Sequence, residues 1–452
     1  MAPHPELAAK IDSLLPGLTE DLVRLAEIPS VSFPGFPREE MLRAHDLLVE
    51  LLRGAGVQEI RDLTLPDTNP VITGFIPPPA PDAPTVLLYA HYDVQPPGDE
   101  ALWDSPPFRP TRVDGAIRAR GIADDKSNLL VHLGALRAFD GRPPVGVKVV
   151  FEGQQEYGSV FDEYPPQHPE DFACDAMVIA DMGNVRPGVG TLTVALRGAA
   201  EVIVEVRTLE EARHGGAFGG AAPDALLVLL HALATLHDEF GDVAVKGLRR
   251  DEWTGYTHSD EEFRRLGGVL PGAPLFGTGS LGGRLWSGPA ITVMGIDAPD
   301  VDGAVSAVVP YARARLNLRV HPAQDPNEAR EALMEHLRGL RPFGIPLEVT
   351  AHGEAGSGFA ADTSGPAYLA ADDALRESWG APPVYAASGE SIPLVSGLAK
   401  AVPDAEVLLF GAQDAECGLH GPNERVLLSE LRGAVLAEAR FFERYAAGYA
   451  RP

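Results

Sequence analysis

Three short apolar runs in this chain stop at, or just before, a histidine or a carboxylate, and a fourth leads to a histidine after a loop. Thr85-Val86-Leu87-Leu88-Tyr89 has the make-up of a strand buried on both faces of a parallel sheet. It leads directly to His91-x-Asp93, before Pro96-Pro97-Gly98 breaks the chain. Open α/β sheets gather their ligands just beyond the carboxyl ends of strands. There His91 offers a ring nitrogen to a metal, and Asp93 can hold the opposite N–H and fix the tautomer. Taken alone, the pair is better explained as a polar loop than as a site.

The arrangement recurs. Gly146 to Phe151 leads to Glu152 and Gln154-Gln155-Glu156, and Ala176 to Ala180 leads to Asp181. Val407 to Gly411 is followed, after a loop, by His420-Gly421-Pro422-Asn423-Glu424-Arg425. Arg120 to Lys126, with Asp124 and Asp125, opens an expected helix from Asn128 to Phe139. Each residue has a plain structural explanation: Asp124 or Asp125 as a helix cap, Glu156 as a solvated loop charge, Asp181 as a turn residue. Their joint recurrence points instead to one polar cluster at one edge of one sheet.

Asp and Glu number 64 against 37 Lys and Arg, a formal charge of -27. That balance argues against nucleic acid or an anionic membrane surface as the main partner, since both need a basic footprint. Cys174 and Cys417 are the two cysteines. They form no disulfide framework, and a reducing cytoplasm is the simplest location. The N-terminal residues lack the basic and apolar regions of a signal peptide, and no apolar run approaches membrane-spanning length.

Periodicity predicts a helix over Glu6–Ala26, interrupted near Pro16-Gly17, and a second over Glu39–Arg53. Strands are expected at Glu59–Leu65 and Val71–Ile76. Beyond Leu196 the pattern changes to strand (Ala200–Val206), helix (Asp224–His237), strand (Ala290–Gly295), long strand (Ala307–Val320), helix (Asn327–Leu340) and strand (Pro346–His352). This β-α-β-β-α-β order is that of a ferredoxin-like split βαβ domain, with Val243–Gly288 as an elaborated loop. Helices at Pro366–Trp379, Ser391–Ala401 and Ser429–Ala446 return the chain to α/β character. The expected organisation is a split catalytic domain, 1–195 and 356–452, interrupted by a small domain over 196–355.

The strings Ala90-His91-Tyr92-Asp93-Val94-Gln95, Arg120-Gly121 to Lys126, Phe151-Glu152-Gly153 to Ser159, and His420 to Arg425 resemble the dinuclear zinc peptidases. That group includes carnosinase-like dipeptidases, acetylornithine deacetylase, succinyl-diaminopimelate desuccinylase and aminoacylase. The carnosinase-like branch is the most similar, because Trp103–Phe108 and Pro322–Pro326 also match it. The resemblance implies an α/β fold: a zinc-peptidase-like catalytic domain with a mostly parallel central sheet, plus an inserted ferredoxin-like α+β lid and dimerisation domain. It implies that His91 and Asp181 bind one metal, Glu156 and His420 the other, and that Asp124 bridges both while Asp93 orients His91. Two divalent ions, most simply Zn²⁺ with Mn²⁺ or Co²⁺ as alternatives, would activate a water for attack on an amide carbonyl.

In the small domain, Arg213-His214-Gly215 resembles the family's His-Ser-Gly motif. Its histidine reaches the partner subunit's site and stabilises the oxyanion, which implies a homodimer. Arg319 matches the arginine that grips a substrate carboxylate. Gly389-Glu390-Ser391-Ile392-Pro393 matches the substrate-binding Gly-Gly-Ser-Ile-Pro loop.

Departures bear on activity. Where the family carries Glu-Glu, with the first as general base, this chain has Gln155-Glu156. An amide cannot accept a proton, and loss of a positioned base costs about 10²–10⁴ in rate. The preferred reading is an inactivating substitution of an ordinary hydrolase, made to trap a ligand. The alternative is a protein that carries Gln155 naturally and is slow, differently driven or a binder. Glu390 replaces the loop's second glycine, which favours a cationic substrate group or supplies a remote carboxylate. Ser127 replaces a glycine, and Ser306-Ala307 stands where Lys-Thr is usual. The leading expectation is a metal-dependent hydrolase of dipeptides or N-acyl amino acids. A catalytically silent binder of peptides or amino-acid conjugates and an amidohydrolase of a specialised metabolite are the alternatives.

Overall fold

The computed structural model describes residues 5–389 and 392–448 of the chain. They fall into two compact units: residues 1–194, 361–386 and 394–452 form the first, and 195–360 with 387–393 the second.

The first unit is built on a six-stranded sheet in the order Gln58–Leu63, Val71–Ile76, Gly146–Glu152, Thr85–His91, Ala176–Ile179, Glu406–Leu409. The last four run parallel to one another, and the first two are added at one edge through antiparallel pairings. The parallel strands are almost wholly buried, as their unbroken apolar character requires. Register aligns their ends: His91 lies opposite Glu152, and Tyr89 opposite Ile179, which in turn faces Leu409. One rim of the sheet therefore collects His91, the chain leading to Glu156, and Asp181.

Behind this rim the Ser127–Ala138 helix is buried along nearly its whole surface. It packs between the Pro5–Ala26 and Leu428–Ala446 helices. A Cβ on Gly134 would come within 2.8 Å of Val435 and 2.9 Å of Leu18, so glycine sets the approach of all three. The Pro5–Ala26 helix runs unbroken through Pro16, contrary to the expected interruption. An interior proline costs about 3 kcal/mol, whereas Ile11, Leu18, Leu22 and Leu25 are fully buried, each contributing about 1.5–3 kcal/mol. Packing outweighs the missing hydrogen bond.

The second unit carries the expected β-α-β-β-α-β order. Its antiparallel sheet is arranged Ala290–Asp297, Tyr311–Val320, Gly198–Arg207, Glu348–Gly356, with helices Ala225–Leu233 and Pro326–Gly339 on one face. Alternate residues Ala312, Ala314, Leu316, Leu318 and Val320 are buried in the core beneath those helices. The long strand expected over Ala307–Val320 is divided. Ala307–Val308 pairs with Arg213–His214, and Tyr311–Val320 joins the main sheet. Pro310 lies between them with no N–H to give to a ladder, while its carbonyl accepts from the Thr208 amide. The helix begun by the Asp224 cap ends at Leu233 and tightens into a 3-10 turn over Ala234–Leu236. The Val243–Gly288 stretch is irregular except for short helices at Asp260–Leu266 and Leu281–Leu285.

Candidate metal centre

Two groups of ligand atoms meet at the rim of the first unit's sheet. His91, Asp124 and Asp181 form one, and Asp124, Glu156 and His420 the other, with the donor atoms of each group lying within 4.8 Å of one another. His91 Nε2 is 3.1 Å from Asp124 Oδ1 and 3.9 Å from Asp181 Oδ1. His420 Nε2 is 3.0 Å from the other Asp124 oxygen and 3.4 Å from Glu156 Oε2. Asp124 thus turns one oxygen to each histidine. Glu156 Oε1 is buried and has no hydrogen-bond partner among the described residues. A buried carboxylate oxygen without a donor is costly unless something positive faces it.

The surrounding residues hold these ligands in place. The Asp93 carboxylate lies 3.3 Å from His91 Nδ1, and its carbonyl oxygen lies 3.1 Å away. This favours the Nδ1–H tautomer and leaves Nε2 free to bind. The same carboxylate accepts the amides of Gln155 and Glu156, each at 3.0 Å, and the Ser32 hydroxyl at 2.7 Å. Asp93 therefore connects the His91 strand to the Glu156 loop. Neither Asp124 nor Asp125 caps the following helix through its side chain. Asp125 instead accepts the His91 amide at 3.0 Å and the Asn128 side chain at 2.6 Å.

Several supports carry no signal of their own in the sequence. Glu424 accepts from Arg120 Nη1 and from the amides of Gly121, Ala123 and Asp124 at 2.6–3.1 Å. Arg120 also donates to the carbonyls of His420 and Gly421, both at 3.0 Å. This buried pair fastens the Asp124 turn to the His420 loop across some 300 residues of sequence. Gln95 Nε2 donates to Glu156 Oε2 at 2.8 Å. Arg120, Glu424 and Gln95 all lie inside the family-like strings, and their position there was the available signal.

The electrostatics call for a cation. Burial opposes protonation of the His91 ring, yet Asp124 and Asp93 together hold its pKa well above the ordinary histidine value. Asp124 and Glu156 raise His420 to about 10. Burial would raise Asp124, but the two imidazoles press it well below the usual carboxylate range. Burial pushes Asp125 up to about 7. Protons on the histidines thus stand where divalent ions fit, and binding of an ion would release them. Imidazole and carboxylate donors suit Zn²⁺, Mn²⁺ or Co²⁺.

Gln155 is partly buried beside Glu156. The remaining residues expected to act belong to the second unit. His214 is exposed, and its Nδ1 accepts the Ala217 amide at 3.2 Å. Arg319 is half-buried on the sheet face opposite the helices, and Gly389 lies against Arg197. Glu390 and Ser391 are outside the described residues.

An α/β sheet with paired His/carboxylate groups at its rim and an inserted ferredoxin-like domain defines a metal-dependent peptidase. The chain matches peptidase family M20/M25/M40 over residues 87–444 and belongs to that family. It is 37% identical over 402 residues to the cysteinylglycine-S-conjugate dipeptidase of Corynebacterium striatum, covering 87% of this chain and 88% of that protein. The fold superposes on that of the di-peptidase Dug1p from Saccharomyces cerevisiae with a TM-score of 0.81 at 24% identity, over 99% of both chains. Human carnosine dipeptidase 1 gives a TM-score of 0.80 at 25% identity, over 98% of this chain and 99% of that one. The resemblance drawn from the four strings is thereby borne out, as is the fold class.

Proposed function

We propose that the chain hydrolyses the amide bond of dipeptides with a free α-carboxylate, and that Gln155 slows the reaction. The observation that carries this reading is the pair of ligand groups sharing Asp124. Support for a dipeptide substrate comes from relatives named for cysteinylglycine conjugates and β-Ala-His. Two divalent ions, Zn²⁺ first among them, would supply Lewis-acid polarisation of the carbonyl and a nucleophile from water at neutral pH. His91, Asp181 and Asp124 would hold one, and Glu156, His420 and Asp124 the other. Asp93 keeps a proton on His91 Nδ1. Arg319 and the Gly389 loop bind the carboxylate, and His214 of a second copy stabilises the oxyanion, which makes the working form a homodimer. With cysteines Cys174 and Cys417 both free, a reducing cytoplasm suits it; no described helix is long and apolar enough to cross a membrane.

The position of Gln155 next to Glu156 defines the decisive experiment. Cysteinylglycine, β-Ala-His and N-acyl amino acids are offered, with Zn²⁺ or Mn²⁺, to this chain and to Gln155→Glu. The Glu variant is expected to be faster by about 10²–10⁴. Gln155 also favours a second reading, a metal-dependent binder of peptides. Both forms binding two ions and a dipeptide without turnover would select that one.

A further inference from the structure

In the second unit, Arg197 presents an anomaly. The residue is 8% exposed, and its Nε is buried with no hydrogen-bond partner among the described residues. Nη1 has one long contact, 3.5 Å to the Gly288 carbonyl. Nη2 faces Gly389, where a Cβ would sit 2.9 Å away. In the same unit, Ala195, two residues before it, packs with Ala387 and Trp286 in an apolar cluster. A guanidinium buried without a counter-charge is expensive, and burial, followed by the like charge of Arg319, lowers its pKa to about 10.

The neighbouring strand explains why no carboxylate of the sheet answers this charge. Tyr311–Val320 carries Arg313, Arg315 and Arg319 on its open face. Arg313 pairs with Asp297, and Arg315 donates to Glu201 at 2.7 Å. Arg319 has alanine on both sides, Ala199 on one strand and Ala290 on the other, and no carboxylate partner among the described residues. Two mutually repelling arginines, both without a carboxylate partner among the described residues and both beside small residues, form a preorganised site for a planar anion.

We infer that Arg197 is a second anion-binding arginine, acting beside Arg319 to hold the α-carboxylate of the substrate, with Gly389 keeping the Nη2 edge of its guanidinium open. Arg197 is a specificity-determining residue: it selects substrates with a free carboxylate and rejects the corresponding amides. The identity of the anion rests on the dipeptide reading proposed above, whereas the anion site does not.

The full chain, loaded with Mn²⁺, is titrated calorimetrically with glycylglycine and with glycylglycine amide. In parallel, its melting temperature is followed in acetate and in chloride at fixed ionic strength. Arg197→Met is expected to weaken glycylglycine about 10–100-fold, leave the amide unchanged and abolish the extra stabilisation by acetate. Arg197→Lys, which keeps the charge but not the fork, is expected to fall between, and serves as the test if Arg197→Met does not fold. Unchanged glycylglycine affinity in either variant, or equal weakening of dipeptide and amide, overturns the inference. If the parent chain binds no dipeptide yet acetate still stabilises it through Arg197, the anion site stands and the dipeptide reading fails. If glycylglycine is bound and cleaved equally with and without Arg197, the reverse holds.

Discussion

The two histidines of the candidate metal cluster are held in opposite ways. His91 ends a central strand, is fully buried, and is fixed by Asp125 at its amide and Asp93 at its ring. His420 sits in a loop with its side chain 56% exposed and its backbone at φ +60°, a left-handed conformation uncommon outside glycine. Its carbonyl is held by Arg120, and its ring pairs, among the described residues, with the Asp124 and Glu156 carboxylates it would share with an ion. One half of the cluster is positioned by the sheet, the other by a clamp. Equal ligand chemistry therefore comes with unequal rigidity, and the half built on His420 should exchange its ion more readily.

Removing Asp124 tests the comparison hardest, because both halves depend on it. Asp124→Ala is expected to lower the metal content from two ions to none after dialysis and to leave no measurable hydrolysis, even in the Gln155→Glu background. Elemental analysis that still finds two ions would mean Asp124 is not the bridge. His420→Ala should separate the halves, losing one ion while retaining the other. In the unsubstituted chain, chelator should strip the ions in two phases. Single-phase loss would show that the clamp makes the halves equivalent.

A smaller effect is expected at the clamp itself. Glu424 accepts four donors with two oxygens, and Glu424→Gln would turn an N–H group towards some of them. Disturbed supports of metal ligands typically cost about 10–100-fold in affinity. The loss should fall on the more weakly held ion, with the His91 half nearly unchanged. Competition with a chelating dye reads the two affinities separately, and equal loss from both would sink the division into sheet-held and clamp-held halves.

What could be read in advance follows the same division. The His91 and Asp181 strands declared themselves, because a short apolar run and the residue that ends it are contiguous. Asp125, Gln95 and Glu424 did not, because their roles exist only through partners far away in sequence: His91, Glu156 and Gly121. Arg197 was invisible for a related reason, since an arginine's lack of a carboxylate is a property of neighbouring strands. Proline shows how context decides. Pro16 predicts a break, yet a well-buried helix face carries the chain through it; Pro310 falls inside an expected strand, yet it divides the segment into a two-residue and a ten-residue pairing. In both cases local propensity was outweighed or enforced by what the flanking residues could bury and pair.

The smallest effect concerns the floor beneath both halves, where Glu152 pairs in register with His91. Glu152 is 1% exposed and accepts from Tyr89 at 2.8 Å and Ser159 at 2.9 Å. Burial, with Asp162 adding to it, raises its pKa from 4.5 to about 8. Below pH 4.5 the carboxyl is protonated in both folded and unfolded chains and favours neither. Between 4.5 and about 8 the unfolded chain has released a proton that the folded chain retains, so stability falls as pH rises across that window. Above it the penalty is constant. Asp162, raised by burial to about 6, adds a slope of the same sign within the window. Glu152→Gln should therefore flatten, without abolishing, the decline in melting temperature between pH 5 and pH 8 of the chelator-treated chain. An equal decline in both proteins would place the retained proton elsewhere and leave the sheet-held half without a neutral floor.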